Sequence, residues 1–546
     1  MPRLRLPAPP DAPPRWPAPR LTSAPVETAP GVFAPAGAPL GWSYRREEEA
    51  RTTASAPSAA LVTAGGLERY VPSADTPWTL DRANHLLQRT ALGGPQARVD
   101  AVFALGAGAA DTLLDRAAAL PETPEPAWFD RAYPPWDTPA FDAYVAEQTA
   151  WLDETEWGVY RRLMGGDAGD PVDQAAVAFR ERLALVWSNH FVTEHESYFF
   201  APQLARYWRL LRHHALGDLR TFVHEVGLNP AMLVYLDGRQ NRRWAPNENY
   251  ARELLELFAV GIADADGQPT YTQTDVEELA RALTGWDVDF QGTMEAVFFP
   301  EWHDDGDKTI LGQRGPWGYD DVVPLLFDQR GAQIARHISA MLYRAFVYEV
   351  PNQAVVTQMA DLLVASDYQI EPVVRALLTS AHFYDDAVIR ARIKGPVEQA
   401  VGLWTAVGAP LDPEALGWLR YRSWLAGQVL FEPWTVAGWP EGRAWVDTST
   451  LPVRWYADAT TLWIVVEVLA PFAQSVSDPF SARAFVAEAA RLLLGRPASA
   501  AEVDAYVRVL LDAIPEYEWN PYADGAPVRV HGLLEHLARL PEFLLS

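Results

Sequence analysis

The sequence predicts a mainly α fold: one large multi-helix domain with a few short strands and long loops rich in aromatic residues and glycine. Three observations lead there. Apolar residues recur at i, i+3, i+4 and i+7 through most of the chain, the spacing that lines one face of a helix. Alternating patterns, which would mark half-buried strands, are few. A hydroxyl followed three residues later by an acid, as at Thr272 to Asp275 and Ser499 to Glu502, stands where periodic runs begin, as helix N-caps require.

Taken in order, the chain opens with a proline-rich stretch: 12 of its 45 prolines fall within the first 40 residues. Proline fixes φ and removes a donor, so residues 1–75 are expected to form an extended arm. Trp16, Phe33, Trp42 and Tyr44 would anchor it to the surface of a helical domain over 76–546. Helical periodicity then runs through "TLDRANHLLQRTALGG", "ARVDAVFALGAGAADTLLDRAAAL", "DQAAVAFRERLALVWSNHF" and "QLARYWRLLRHHAL". It resumes in "TQTDVEELARALTGW", "AQIARHISAMLYRAFV", "QAVVTQMADLLVASD" and "EPVVRALLTSAHFY". "SARAFVAEAARLLLG", "SAAEVDAYVRVLLDAI" and "VRVHGLLEHLARL" complete it. The best alternating run, "TMEAVFFPEW", suggests a short hairpin. Residues 287–320 and 431–456, rich in Gly, Asp and Trp, read as long loops of the kind that carry function.

Composition excludes several classes. The 45 Lys and Arg face 71 Asp and Glu, a formal charge of −26, which repels phosphate backbones and argues against nucleic-acid binding. No cysteine is present, so thiolate metal sites, disulfides and cysteine nucleophiles are excluded. No run of about 18 apolar residues suggests a membrane span. The N-terminus lacks the continuous apolar stretch of a signal peptide, so the default location is cytoplasmic, with export by another route left open. There is no G-x-S-x-G, H-E-x-x-H, phosphate-loop or dinucleotide motif.

Seven segments recur in a familiar order: "VWSNHF", "NENYARELLELFAVG", "YTQTDVEELARALTGW", "HDDGDKTILG", "LTSAHFY", "IKGPVEQAVG" and "FEPWTVAGWPEGRAWVDTSTLPVRW". Together they resemble the DUF1800 family, a bacterial domain of unknown function, from about residue 80 to 546. The chain departs from the family pattern before "GWP", where Glu432-Pro433-Trp434 stand in place of a Pro-Pro pair. The resemblance implies one large helical domain and a second exported protein encoded nearby as partner. It implies no reaction.

The candidate chemistry therefore rests on residue types. In "NENYARELLELFAVG", Asn247 suits a helix cap, and Glu248 can pair with Arg252 for roughly 0.3–0.5 kcal/mol. Asn249, Glu253 and Glu256 form a polar stripe beside an apolar one. His190 and His195 are five apart, about 140° around a helix, and so are no same-face pair. In "HDDGDK", His303, Asp304, Asp305 and Asp307 surround Gly306 before Lys308, a donor mixture that suits a divalent metal. The composite expectation is a metal held by His190, His303 and Asp304. Glu253 and Glu256 would then be acid–base carboxylates, and Arg252 and Lys308 would neutralise an anionic substrate. That describes a metal-dependent hydrolase of a polysaccharide or ester.

Two alternatives stand beside it. One is metal-free glycoside cleavage with Trp286, Trp302, Trp317, Trp434 and Trp439 as sugar platform. The other is a non-catalytic scaffold or binding partner of an exported or surface system. There the polar helix groups would be a structural network, with Glu253 held by Arg252, Arg281 or Lys308.

Overall fold

The structure is a computed structural model. It describes residues 61–135 and 138–546, together with the backbone of a short antiparallel hairpin, Val26–Ala29 with Val32–Ala34. The anchors Trp16, Phe33, Trp42 and Tyr44 lie outside the described side chains. Among the described residues the fold is mainly α, as the periodicity predicts.

Residues 61–75 run extended along the "LTSAHFY" segment. Tyr70 N–H donates to Thr379 O at 2.8 Å, Ala381 N–H to Glu68 O at 2.7 Å and His382 N–H to Gly66 O at 2.9 Å. The buried Tyr70 ring then packs on Tyr384, 4.7 Å between centroids. Beyond this strap, the helix Pro171–Ser188 forms the axis of the N-terminal half. Asp170 caps it with bonds from Val172 and Asp173 N–H, and Pro171 fills the first turn, where its missing donor costs nothing. It is buried along most of its length and packs on Leu80–Thr90, Gln96–Ala104, Ala109–Ala118, Pro139–Leu163 and Ala201–His214.

The periodic run over residues 97–120 is not one helix. It breaks between Gln96–Ala104 and Ala109–Ala118 at Gly106, whose φ of +65° lies outside the α-helical region and opens a short 3-10 turn, Gly106–Gly108. The long helix Tyr319–Phe346 bends at Arg330 and packs on Gln353–Ala365, Leu219–Gly227 and Ile370–Leu378. A C-terminal layer gathers Pro396–Ala406, Pro413–Leu425, Thr450–Ile464, Val466–Gln474, Ala482–Leu494, Ala500–Leu511 and Ala526–Ala538. Both sequence-read capping boxes are present, Thr272 with Asp275 and Ser499 with Glu502.

The expected hairpin pairs Trp286–Val288 with Ala296–Phe298, and a second joins Lys308–Ile310 to Gln313–Gly315. Among the described residues no single helix is long and apolar enough to cross a membrane.

Candidate functional site

The site begins where the helix Pro171–Ser188 stops. Asn189 turns its carboxamide onto the loop 438–439: Oδ1 accepts from Trp439 N–H at 2.6 Å. Gly438 is needed there twice over. Its φ is +89°, and a Cβ would stand 2.4 Å from the same Asn189 oxygen. The next residue, His190, is buried and packs edge-on against Trp187 and Phe191.

His190 Nε2 lies 2.9 Å from Phe258 O, and His337 Nε2 lies 2.7 Å from Leu257 O. A carbonyl only accepts, so both rings carry their proton on Nε2. The two rings are 5.7 Å apart. The hydrogen bonds of both rings to described residues run through Nε2, and none runs through Nδ1.

The two accepting carbonyls come from the segment "NENYARELLELFAVG". It starts as an α-helix, Asn249–Glu253, and widens into a π turn, Leu254–Phe258. Asn247 does act at its start, with Oδ1 accepting from Asn249 N–H at 2.9 Å. Leu254, Leu255 and Phe258 bury the apolar stripe. Helix ends leave carbonyls without intrahelical donors, and π turns recur at functional sites. Here the spare carbonyls are spent on two histidines. Gly261, φ +84°, closes the segment, and a Cβ there would come within 3.0 Å of His337 Nδ1.

Both rings are held neutral. Burial, then the neighbouring His337, pushes the His190 pKa down to about 3, against the pull of the Phe258 carbonyl. Burial likewise lowers that of His337. Neutral imidazoles whose far nitrogen is fixed on a backbone carbonyl are the form in which histidine ligates a metal.

These rings line a cleft of about 360 Å³ with Arg182, Arg344, Arg392, Glu398, Gln428, Trp439, Glu441 and Trp445 among its walls. Glu398 is pinned by Arg182 and by both nitrogens of Arg392, at 2.6 and 2.9 Å. Burial opposes its charge, but the two guanidiniums outweigh burial and hold it at about 2. Arg344 is looser, with Nε 3.7 Å from Glu441. A smaller cavity of about 220 Å³ shares Arg344, Arg392 and Glu441 and adds Glu349 and Arg443.

The other sequence candidates stand elsewhere. Arg252 bonds Glu248 at 2.7 Å, Gln273 at 3.1 Å and Glu256 at 3.4 Å. Glu253 lies beside them. Burial first, then Glu256, pushes its carboxyl up to about 7, with Arg252 pulling the other way. In the loop 303–308, Asp304 accepts from Arg281 with both oxygens, at 2.7 and 3.1 Å, and from Gly306 N–H at 3.0 Å. The buried Lys308 ammonium donates to the carbonyls of Asp304 and Gly306. His303 Nδ1 meets Thr284 O at 3.0 Å. Of the seven candidates only His190 is a wall of the 360 Å³ cleft.

The five tryptophans disperse. Trp439 lines the cleft, Trp302 lies under Arg242, and Trp434 bonds Gly427 O. Trp286 packs on Phe298, and Trp317 donates to Gln313 O.

Sequence reasoning missed His337, Arg344, Arg392, Glu398 and Glu441. Arg392 and Glu398 flank and occupy the "IKGPVEQ" segment, and Glu441 lies in the 431–456 loop, so those motifs held the signal. His337 sits inside an ordinary periodic helix that marks it in no way. A separate trio also went unread: donor atoms of Glu194, Glu196 and Glu432 fall within 4.8 Å of one another. Burial, then Glu196 and Glu194, pushes the Glu432 carboxyl up to about 9.

The family model described as "Protein of unknown function (DUF1800)" matches residues 85–545, and the chain belongs to that family. No curated protein and no solved structure matches it.

Proposed function

We propose that this DUF1800 member is a metal-dependent hydrolase of an anionic ester or phosphoester, with its site in the cleft of His190 and His337. One observation carries the reading. Two neutral imidazoles, 5.7 Å apart, spend their Nε2 protons on consecutive backbone carbonyls and keep both Nδ1 lone pairs free. A divalent cation of the zinc, manganese or iron class would supply an acidified water there. Among the described residues no third His, Asp or Glu joins the pair at ligand spacing, so the remaining positions fall to water and substrate. Arg344, only loosely tied to Glu441, meets the substrate's negative charge.

In this reading His190 keeps the role its sequence context suggests, and His337 takes the place expected of His303 and Asp304. Arg252, Glu256, Asp304 and Lys308 act as structural groups: Arg252 is held by Glu248, Gln273 and Glu256, Asp304 by Arg281, and Lys308 by two backbone carbonyls. Glu253 is kept apart as a titrating neighbour.

The test is hydrolysis of p-nitrophenyl phosphate and bis(p-nitrophenyl) phosphate by protein stripped of metal and reloaded with zinc or manganese. Turnover should require the metal and fall at least about 100-fold in His190→Ala and His337→Ala. Metal-independent turnover, or turnover in both variants equal to that of the wild type, would refute it.

A further inference from the structure

The helix Thr450–Ile464 buries charge beside its apolar Ala457 and Leu462 and leaves aromatic rings outside. Arg454, Asp458 and Thr461 face inward and are fully buried. Asp458 meets Arg422 at 2.5 Å, and Arg454 donates to Lys394 O at 2.8 Å. The outer face instead carries Tyr456, Trp463 and Ile464, exposed by 63, 41 and 44%. A helix that only covers a core turns its aromatic side in and its charges out. Solubility alone gives no reason to invert it.

The outward residues follow one another at spacings of three and four: Pro452, Tyr456, Thr460 and Trp463, with Trp455 and Ala459 alongside. That spacing makes a continuous stripe. It forms one wall of an open groove of about 690 Å³, and the facing wall is His531, Glu535 and Arg539. Trp463 meets the His531 ring edge-on at 5.2 Å. His531 Nε2 is anchored on Ala459 O at 3.3 Å, and Glu535 is paired with Arg539. One wall is flat and aromatic, and the other is polar and fixed.

We propose that this groove binds a neutral polysaccharide chain. The Tyr456 and Trp463 rings offer faces on which the C–H sides of pyranose rings stack, while Thr460, Glu535 and Arg539 exchange hydrogen bonds with hydroxyls. Charge selects among occupants. The groove's one carboxylate and one guanidinium cancel, and the chain carries a net −26, which disfavours anionic lipid and anionic polymers. The helix and its successor, Val466–Gln474, are together apolar enough for a membrane segment, but they meet at 77° and the first buries an ion pair. The groove shares no wall residue with the His190–His337 cleft, so this proposal stands apart from the hydrolase reading.

The test is native affinity electrophoresis of the full chain in gels containing hydroxyethylcellulose, laminarin, soluble starch or neutral arabinoxylan. At least one polymer should retard the protein. Trp463→Ala and Tyr456→Ala should weaken that retardation about tenfold, Trp463→Phe should restore part of it, and His190→Ala should leave it unchanged. Each groove variant is checked for an unaltered thermal melt, since Tyr456 and Trp463 are exposed. Retardation in none of the four gels overturns the proposal. So does equal retardation of a folded Trp463→Ala, or sedimentation with phosphatidylglycerol vesicles in place of any retardation.

Discussion

In the cleft, His190 and His337 each bond one backbone carbonyl and leave a nitrogen open. In the loop 303–308, Asp304 has both oxygens on Arg281 and Lys308 has its ammonium on two carbonyls. The two regions use the same vocabulary of imidazole, carboxylate and cation. What separates them is the accounting of partners. A polar group whose hydrogen bonds are all made internally holds the fold, whereas one that is buried, oriented and still unspent is available to a ligand. The loop looks more like a metal site in sequence, because its donors are adjacent there. The cleft collects its donors from residues 147 positions apart, and nothing local marks them.

The largest effect should come from Glu398→Gln. It strips the buried guanidiniums of Arg182 and Arg392 of their shared carboxylate and should cost about 3–5 kcal/mol in chemical denaturation. A loss under about 1 kcal/mol would mean that the cleft wall does not depend on this pair. Next, Lys308→Met should cost about 2–4 kcal/mol by leaving two carbonyls unbonded, with metal content untouched. Loss of metal without loss of stability would turn the comparison around.

The pH dependence separates the regions further. The depressed His190 and His337 stay neutral in the folded chain, while the unfolded chain takes up protons below about 6.5. Their contribution to stability is therefore intact above 6.5 and is lost as pH falls toward about 3 for His190. Denaturation midpoints of wild type and His190→Gln should converge as the buffer is taken from pH 7 to 4. A gap that stays constant would show that burial does not hold this ring neutral.

The smallest effect belongs to Glu253. Its raised pKa means that the folded chain keeps a proton the unfolded chain has lost, so stability declines as pH rises from about 4.5 to about 7. Glu253→Gln should raise Tm at pH 8 by about 1–3 °C and change nothing at pH 4. A lowered Tm at pH 8 would reveal an engaged carboxylate.

The fold was legible because helical periodicity and capping are local properties: Thr272 with Asp275 and Ser499 with Glu502 can be read without any neighbour. The break at Gly106 was less so, since glycine permits a positive φ without demanding it. The site was legible in part. "SNH" and "NENYARELLELFAVG" were singled out, and the structure joins them through Phe258 O. The π turn was hidden, because five residues per loop instead of four leaves no trace in the run Leu254 to Phe258, apolar but for Glu256. His337 was hidden for the same reason as any core histidine: its meaning lies in what stands across from it.

The most direct measurement is the metal content of wild type, His190→Ala, His337→Ala, His303→Ala and Glu432→Gln after equilibration with zinc and dialysis, read by mass spectrometry. One ion per chain is expected in wild type, His303→Ala and Glu432→Gln, and none in His190→Ala or His337→Ala. Metal retained by both cleft variants, or lost from His303→Ala or Glu432→Gln, would contradict it.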